Sequence, residues 1–214
     1  RVDPGQAPRP ITPEASALRY TDLCADARRR LLWAVREDHR GAGEACNSLV
    51  ALRADGDEQG GRIVAEGHDF YAAPRLSPDG SQLAWLSWNH PDMPWDGCEL
   101  WLAEVDAAGR LHGARCLAGS RDEAVQQPMW SPDGRLHFIS DRSGWWNLYR
   151  WRDGQAEALC PMQAEFGEPA WVFGLSSQAL VGERRLACSY TQRGRSQLAV
   201  LHLDTLQLQP IDTP

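Results

Sequence analysis

Ser131-Pro132-Asp133-Gly134 constrains the fold of this chain more than any other stretch, and the same four residues recur at Ser77-Pro78-Asp79-Gly80. Proline fixes φ at the second turn position. Aspartate folds its carboxylate back on the turn's own backbone, and glycine accepts the positive φ on which such a turn ends. Arg75-Leu76 and Met129-Trp130 lead into the two turns. The β-prone segments Gln82-Leu83-Ala84-Trp85-Leu86 and Arg135-Leu136-His137-Phe138-Ile139 lead out of them. Each unit is therefore a predicted hairpin, and two copies this far apart point to an array.

The array has four copies. Trp33, Trp85, Phe138 and Cys188 occupy matching places on the second strand, and Leu49, Leu100, Leu148 and Leu198 on the third. The last two copies align without a gap, Arg135-Leu136 with Arg185-Leu186 and Asn147-Leu148 with Gln197-Leu198. No long helical pattern lies between them. Four short strands repeated at roughly fifty residues describe a propeller blade. The predicted fold is all-β, a partial β-propeller of about four four-stranded antiparallel blades.

The predicted organisation is a tail of a preceding blade over 1–17, then blades over 18–66, 67–120, 121–162 and 163–214. Gln6-Ala7-Pro8-Arg9-Pro10-Ile11 reads as an outer strand in that tail, since prolines belong on edges. Strands of the first blade are expected near Leu18–Leu23, Arg30–Arg36, Asn47–Arg53 and Arg62–Val64. The second blade runs from Tyr71 to Leu117, the third from Gln127 to Leu159 and the fourth from Glu168 to Ile211.

Composition narrows the partners. The chain is 43% hydrophobic, enough for a core, and carries ten tryptophans against four phenylalanines, which suits packed sheets. Its net charge is −7 and its basic residues are all arginine, with no basic stripe, so no nucleic-acid partner is expected. The arginine bias fits a GC-rich bacterial genome. No apolar run is long enough for a membrane span, and no signal-peptide pattern is present. The six cysteines, Cys24, Cys46, Cys98, Cys116, Cys160 and Cys188, form no C-x-x-C pair and read as reduced structural thiols of a cytoplasmic protein.

Strand order sorts the loops by face. The first-to-second and third-to-fourth turns share one face and are plain punctuation: the Ser-Pro-Asp-Gly turns, Asp106-Ala107-Ala108-Gly109 and Arg152-Asp153-Gly154. The other face carries the long loops Glu37 to Glu44, Trp88 to Gly97 and Asp141 to Trp146, and the short Thr191-Gln192-Arg193-Gly194. It also holds the connections Gly67 to Tyr71 and Glu165 to Glu168. Function gathers on loops held by a rigid scaffold, so this second face is the expected working face. Against this stands a structural use of Trp95, Trp145 and Trp146 as plugs between blades.

Three stretches resemble the propeller of prolyl-oligopeptidase-type serine peptidases, nearest the bacterial acylaminoacyl-peptidase and dipeptidyl-peptidase branch. The first is Ala73-Pro74-Arg75-Leu76-Ser77-Pro78-Asp79-Gly80, continuing from Leu83 through Met93-Pro94-Trp95-Asp96-Gly97. The second runs from Trp130 through Gly144-Trp145-Trp146-Asn147-Leu148-Tyr149. The third joins Ala164-Glu165-Phe166-Gly167 to Trp171-Val172-Phe173-Gly174. The resemblance implies a propeller that gates and orients peptides for a C-terminal α/β-hydrolase domain with a Ser-Asp-His triad. The sequence departs from that plan: Gly-x-Ser-x-Gly does not occur, and its nearest approach, Gly174-Leu175-Ser176-Ser177-Gln178, lacks the closing glycine. The hydrolase domain is therefore read as absent, and no residue, histidines included, is assigned a catalytic role.

Substrate-binding candidates are Glu165, Phe166, Trp95, Asp96, His90, Arg142 and Trp145. Glu37, Asp38, Glu165 and Glu168 are acids suited to a peptide ammonium, with solvated loop acids as the bland alternative. Arg142 suits a substrate carbonyl or carboxylate, or a structural pair with Asp141 or a backbone loop, and the structural reading is preferred. Asp55-Gly56-Asp57-Glu58-Gln59-Gly60 with Glu66 has the acid spacing of a calcium loop, but strands flank it where an EF-hand needs helices, so it is read as a solvated turn. No cofactor or metal is expected. Expected partners are peptide substrate, the hydrolase domain of a parent chain, and a second copy paired edge to edge, two four-blade arcs closing an eight-blade ring. The alternative is a stand-alone TolB-like propeller that binds proteins. A lactonase or glycosidase propeller would want clustered acids or calcium in the central channel, and the inner strands show no such cluster.

Overall fold

Both Ser-Pro-Asp-Gly turns close as the sequence predicts. Gly80 donates its N–H to the Ser77 carbonyl at 2.8 Å and Gly134 to the Ser131 carbonyl at 2.9 Å, with the glycines at φ 71° and 79°. The structure is a computed structural model and describes residues 4–14 and 17–212. Among these, every regular element is a strand. The first sheet holds β1 (Leu18–Asp26), β2 (Leu31–Asp38), β3 (Cys46–Arg53) and β4 (Arg62–Ala65). The second holds β5 (Phe70–Leu76), β6 (Gln82–Trp88), β7 (Glu99–Val105) and β8 (Leu111–Ala118). The third holds β9 (Val125–Trp130), β10 (Leu136–Ser140), β11 (Asn147–Arg152) and β12 (Gln155–Ala158). The fourth holds β13 (Gln178–Leu180), β14 (Arg185–Gln192), β15 (Arg195–His202) and β16 (Gln207–Ile211). Each is a four-stranded antiparallel meander in chain order, a propeller blade.

Alternate residues of each strand face opposite neighbours, and the apolar ones fill the gaps between blades. Trp33, Val35, Leu49 and Ala51 pack on Leu83, Trp85 and Ala103 between the first and second blades. Ala84, Leu86, Leu100 and Leu102 meet Leu136, Phe138 and Tyr149 between the second and third. Ile139 and Leu148 meet Leu186, Cys188, Ala199 and Leu201 between the third and fourth. Arg29 clips the first two blades on the turn side. It donates to Asp26 at 2.7 Å, to the Asp106 carbonyl at 2.8 Å and to the Gly80 carbonyl at 2.9 Å.

Four details differ from the sequence reading. Trp33 faces the next blade, whereas Trp85, Phe138 and Cys188 face the preceding one. The true equivalent lies one residue away, and a one-residue slip reverses the face in a period-two element. Leu198 is 45% exposed where Leu49, Leu100 and Leu148 are buried, because no further sheet among the described residues covers its face. Gln6 to Ile11 is not a strand. Pro8 and Pro10 have no N–H for a ladder, and the segment instead ties to the β3–β4 turn, Asp57 N to the Ile11 carbonyl at 2.6 Å. Arg1–Asp3, Ala15 and Ser16 of that predicted tail, and Thr213 and Pro214 of the predicted fourth blade, lie outside the described residues. In the fourth blade, Glu168 to Ser177 is irregular and the first strand is only Gln178–Leu180.

Candidate functional site

The first strands set the geometry of the interior. β1 lies beside β5, and β5 beside β9. All three break register at one place, between Thr21 and Cys24, between Ala72 and Arg75, and between Gln126 and Met129. At each break a non-glycine residue takes positive φ: Asp22 at 48°, Ala73 at 51° and Gln127 at 53°. These are β-bulges, which turn a side chain out of the regular alternation and release backbone groups from the ladder. Neighbouring blades take up the released groups. Asp22 Oδ2 accepts the Ala73 N–H at 2.6 Å, and the Gln127 carbonyl accepts Gln178 Nε2 at 3.0 Å. Left-handed non-glycine backbone costs energy and concentrates at functional sites.

The bulges form the floor of a cavity of about 410 Å³ on the face that carries the long loops. Its charged wall residues are Asp22 and Arg75, and its aromatic ones Trp88, Trp95, Trp171 and Phe173. Two loops make the roof. The β6–β7 loop brings Trp95, and the segment after β12 brings Trp171, with ring centroids 4.4 Å apart. Gln127 tethers the second loop through its Oε1, which accepts the Ser177 N–H at 2.9 Å and its hydroxyl at 3.1 Å. Trp171 is 73% exposed, and Val172 and Phe173 extend an apolar ridge beside it.

Asp22 holds Arg75 in place. Its Oδ1 accepts from Arg75 Nη1 at 3.3 Å, and the same nitrogen donates to the Pro74 carbonyl at 2.8 Å. The Trp130 indole fixes the Arg75 carbonyl at 2.8 Å. Both Asp22 oxygens are thus engaged, while Arg75 keeps Nε and Nη2 without partners among the described residues.

Of the residues singled out from sequence, Trp95 lines this cavity. The others sit elsewhere on or under the loop face. Asp96 caps its own turn, accepting the Met93 N–H at 3.0 Å. His90 stands edge-on to Phe70 and 3.4 Å from Glu44. Arg142 pairs with Glu123, Nε to Oε1 at 2.9 Å, and stacks 5.4 Å above Tyr149. The partner is Glu123 and not the expected Asp141, whose Oδ1 instead accepts the Ala124 N–H at 2.8 Å. Trp145 is half-exposed at the tip of the β10–β11 loop. Glu165 Oε2 accepts the Trp146 N–H at 2.9 Å. The Phe166 ring is buried against Tyr190, centroids 5.1 Å apart. Glu37 meets His39 at 3.0 Å, and Asp38 is held down to about 2 by hydrogen bonds from Arg40.

Asp22, Arg75 and Gln127 were not singled out, and Trp171 and Phe173 figured only inside a motif. Pro74 and Pro128, each directly after a left-handed residue, were the available signal, since proline inside a strand marks a bulge. No group of three or more metal-ligating His, Cys, Asp or Glu exists among the described residues. The acidic β3–β4 turn is occupied by its own backbone: Asp57 accepts the N–H groups of Arg53, Gln59 and Gly61. No described helix is long and apolar enough to cross a membrane.

No family model matches the sequence, and no curated protein does. Solved structures do. A Mycobacterium tuberculosis puromycin-hydrolyzing peptidase is 36% identical over 97% of this chain, with a TM-score of 0.87. Prolyl oligopeptidase B from Galerina marginata, 12% identical over 85% of the chain with a TM-score of 0.67, shares the fold. So does TolB from Acinetobacter baumannii, 14% identical over 90% of the chain, with a TM-score of 0.58. The chain spans 34%, 26% and 43% of those structures' chains, respectively.

Proposed function

We propose that this chain, a propeller of the prolyl-oligopeptidase family, is the non-catalytic part of a serine peptidase that gates and orients short peptides for an α/β-hydrolase domain. The observation that carries this reading is the cavity between the long loops, walled by aromatic rings and floored by the Asp22–Arg75 pair. A pocket of that size admits the end of a short peptide and excludes a folded protein. Trp95 packs on the peptide. Glu165 offers its second carboxylate oxygen to the peptide ammonium, and His90, Asp96, Arg142 and Trp145 shape the rim. Phe166 supports Glu165 from the core. The working place is the cytoplasm, where the six thiols stay reduced.

Reading the gene past Pro214 tests the proposal. A frame that continues into a Gly-x-Ser-x-Gly elbow supports it, and a stop codon soon after Pro214 overturns it. In the full-length enzyme, Trp95→Ala is expected to lower kcat/KM on short peptides about tenfold, the scale of one lost aromatic contact. Glu165→Ala should raise KM for peptides with a free N-terminus and spare N-acylated ones.

The exposed ridge Trp171-Val172-Phe173 favours a second reading, a TolB-like scaffold that binds a protein partner there. The stop codon would favour it. The uncovered face of the fourth blade, with Val181, Leu198 and Ile211 exposed, suits edge-to-edge pairing of two copies. Sedimentation that finds only monomer at high concentration would remove that pairing.

A further inference from the structure

We infer that the cavity is a terminus-reading subsite: it takes the C-terminal residue of a short peptide, with an aromatic or large aliphatic side chain and a free α-carboxylate. The inference rests on the peptide-orienting reading and adds to it which end of the peptide is recognised, and by which atoms.

Three observations converge. The first is the guanidinium. Arg75 uses one nitrogen, Nη1, on Asp22 and the Pro74 carbonyl, and leaves Nε and Nη2 open. These two donors are the pair that meets a carboxylate side-on in a two-pronged contact, a geometry that an ammonium group cannot offer and a single carbonyl only half fills. The second is anchoring. Asp22 is 8% exposed at its side chain and spends both oxygens on Ala73 and Arg75. It orients the guanidinium, and its burial and its two engaged oxygens make it a poor receiver for a peptide ammonium. The third is the wall. Trp88, Trp95, Trp171 and Phe173 stand around the same space, and the cavity of about 410 Å³ lies at the small end of the ligand-pocket range. One bulky residue with its backbone is the occupant matched to that space.

The bulges make this arrangement possible. A regular β5 would place Arg75 in the alternation of the sheet. The left-handed turn at Ala73 re-aims it toward the channel, and the same device at Asp22 brings the carboxylate that holds it.

The test uses this chain and three probes: Gly-Gly-Phe, its C-terminal amide, and Gly-Gly-Gly. Binding is measured by calorimetry and by tryptophan fluorescence, since indoles line the cavity. The expected result is that Gly-Gly-Phe binds at least tenfold tighter than its amide and at least tenfold tighter than Gly-Gly-Gly. Arg75→Gln should remove the difference between acid and amide, and Trp171→Ala should weaken both phenylalanine peptides alike. Equal affinity of acid and amide for the unaltered chain would overturn the inference without any variant having to fold, and binding of none of the probes would overturn it too. Either failure leaves the peptidase reading to its own test, because the elbow past Pro214 and the kcat/KM of the full-length enzyme do not depend on which peptide end is read.

Discussion

His137 should make this fold sensitive to acid, and the size of the effect follows from its surroundings. The side chain is 1% exposed, on β10 between the third and fourth blades. Its Nε2 lies 3.2 Å from Ser131 Oγ, whose own proton goes to Asp133, so the ring donates from Nε2 and Nδ1 is left bare. Burial and the Arg150 guanidinium push its pKa down from 6.5 to about 4, against the opposing pull of Asp133. Arg150 is itself paired with Glu157 at 2.8 Å and does not leave. The unfolded chain therefore takes up a proton on this ring near pH 6.5, while the folded chain resists until about pH 4. Stability is complete above the unfolded value and is lost as pH falls through that window. A shift of this size is worth about 3 kcal/mol in total, most of it already lost at pH 4.5. Urea unfolding followed by tryptophan fluorescence at pH 7.5 and 4.5 measures it. His137→Gln, which keeps a donor for Ser131 but cannot titrate, should lose about 2–3 kcal/mol less than the unaltered chain over that interval. Identical losses in the two proteins would refute the argument, for carboxylates elsewhere contribute equally to both.

Other consequences are simpler. Phe138, fully buried and stacked on Tyr149 between the second and third blades, should cost about 3–5 kcal/mol when changed to alanine, read from the urea midpoint at unchanged slope. Gly119→Ala should destabilise by at least about 2 kcal/mol, since the new methyl at φ 91° would press into the Cys98 carbonyl and come 2.7 Å from Glu99 Cα. Thermal melting would show it. Arg142→Ala should cost no more than about 1 kcal/mol, because the pair with Glu123 is partly open to water and Ser140 remains on the carboxylate. A larger loss would mean that the Arg142–Tyr149 contact organises the loop.

The hairpins were legible because their information is local. Ser-Pro-Asp-Gly carries its own φ preferences, and alternating apolar residues mark each strand without help from the rest of the chain. Two kinds of information were not local. One is the facing of a strand: Trp33 aligns with Trp85 by residue type, yet the ladder partners, Ala51 for one and Trp101 for the other, decide which gap each enters. The other is the site. The cavity draws Asp22 from the first blade, Arg75 and Trp95 from the second, Gln127 from the third and Trp171 from the approach to the fourth. No spacing in the sequence joins them. The loops that looked functional, rich in His, Trp and acids, largely satisfy one another: Arg142 with Glu123, Glu165 with the Trp146 amide, Asp96 with its own turn. On an inner strand, by contrast, the Arg75 guanidinium keeps two donors without a partner among the described residues. A left-handed alanine precedes that arginine and a buried aspartate from the neighbouring blade holds it, an arrangement that exists only once the first two blades have met.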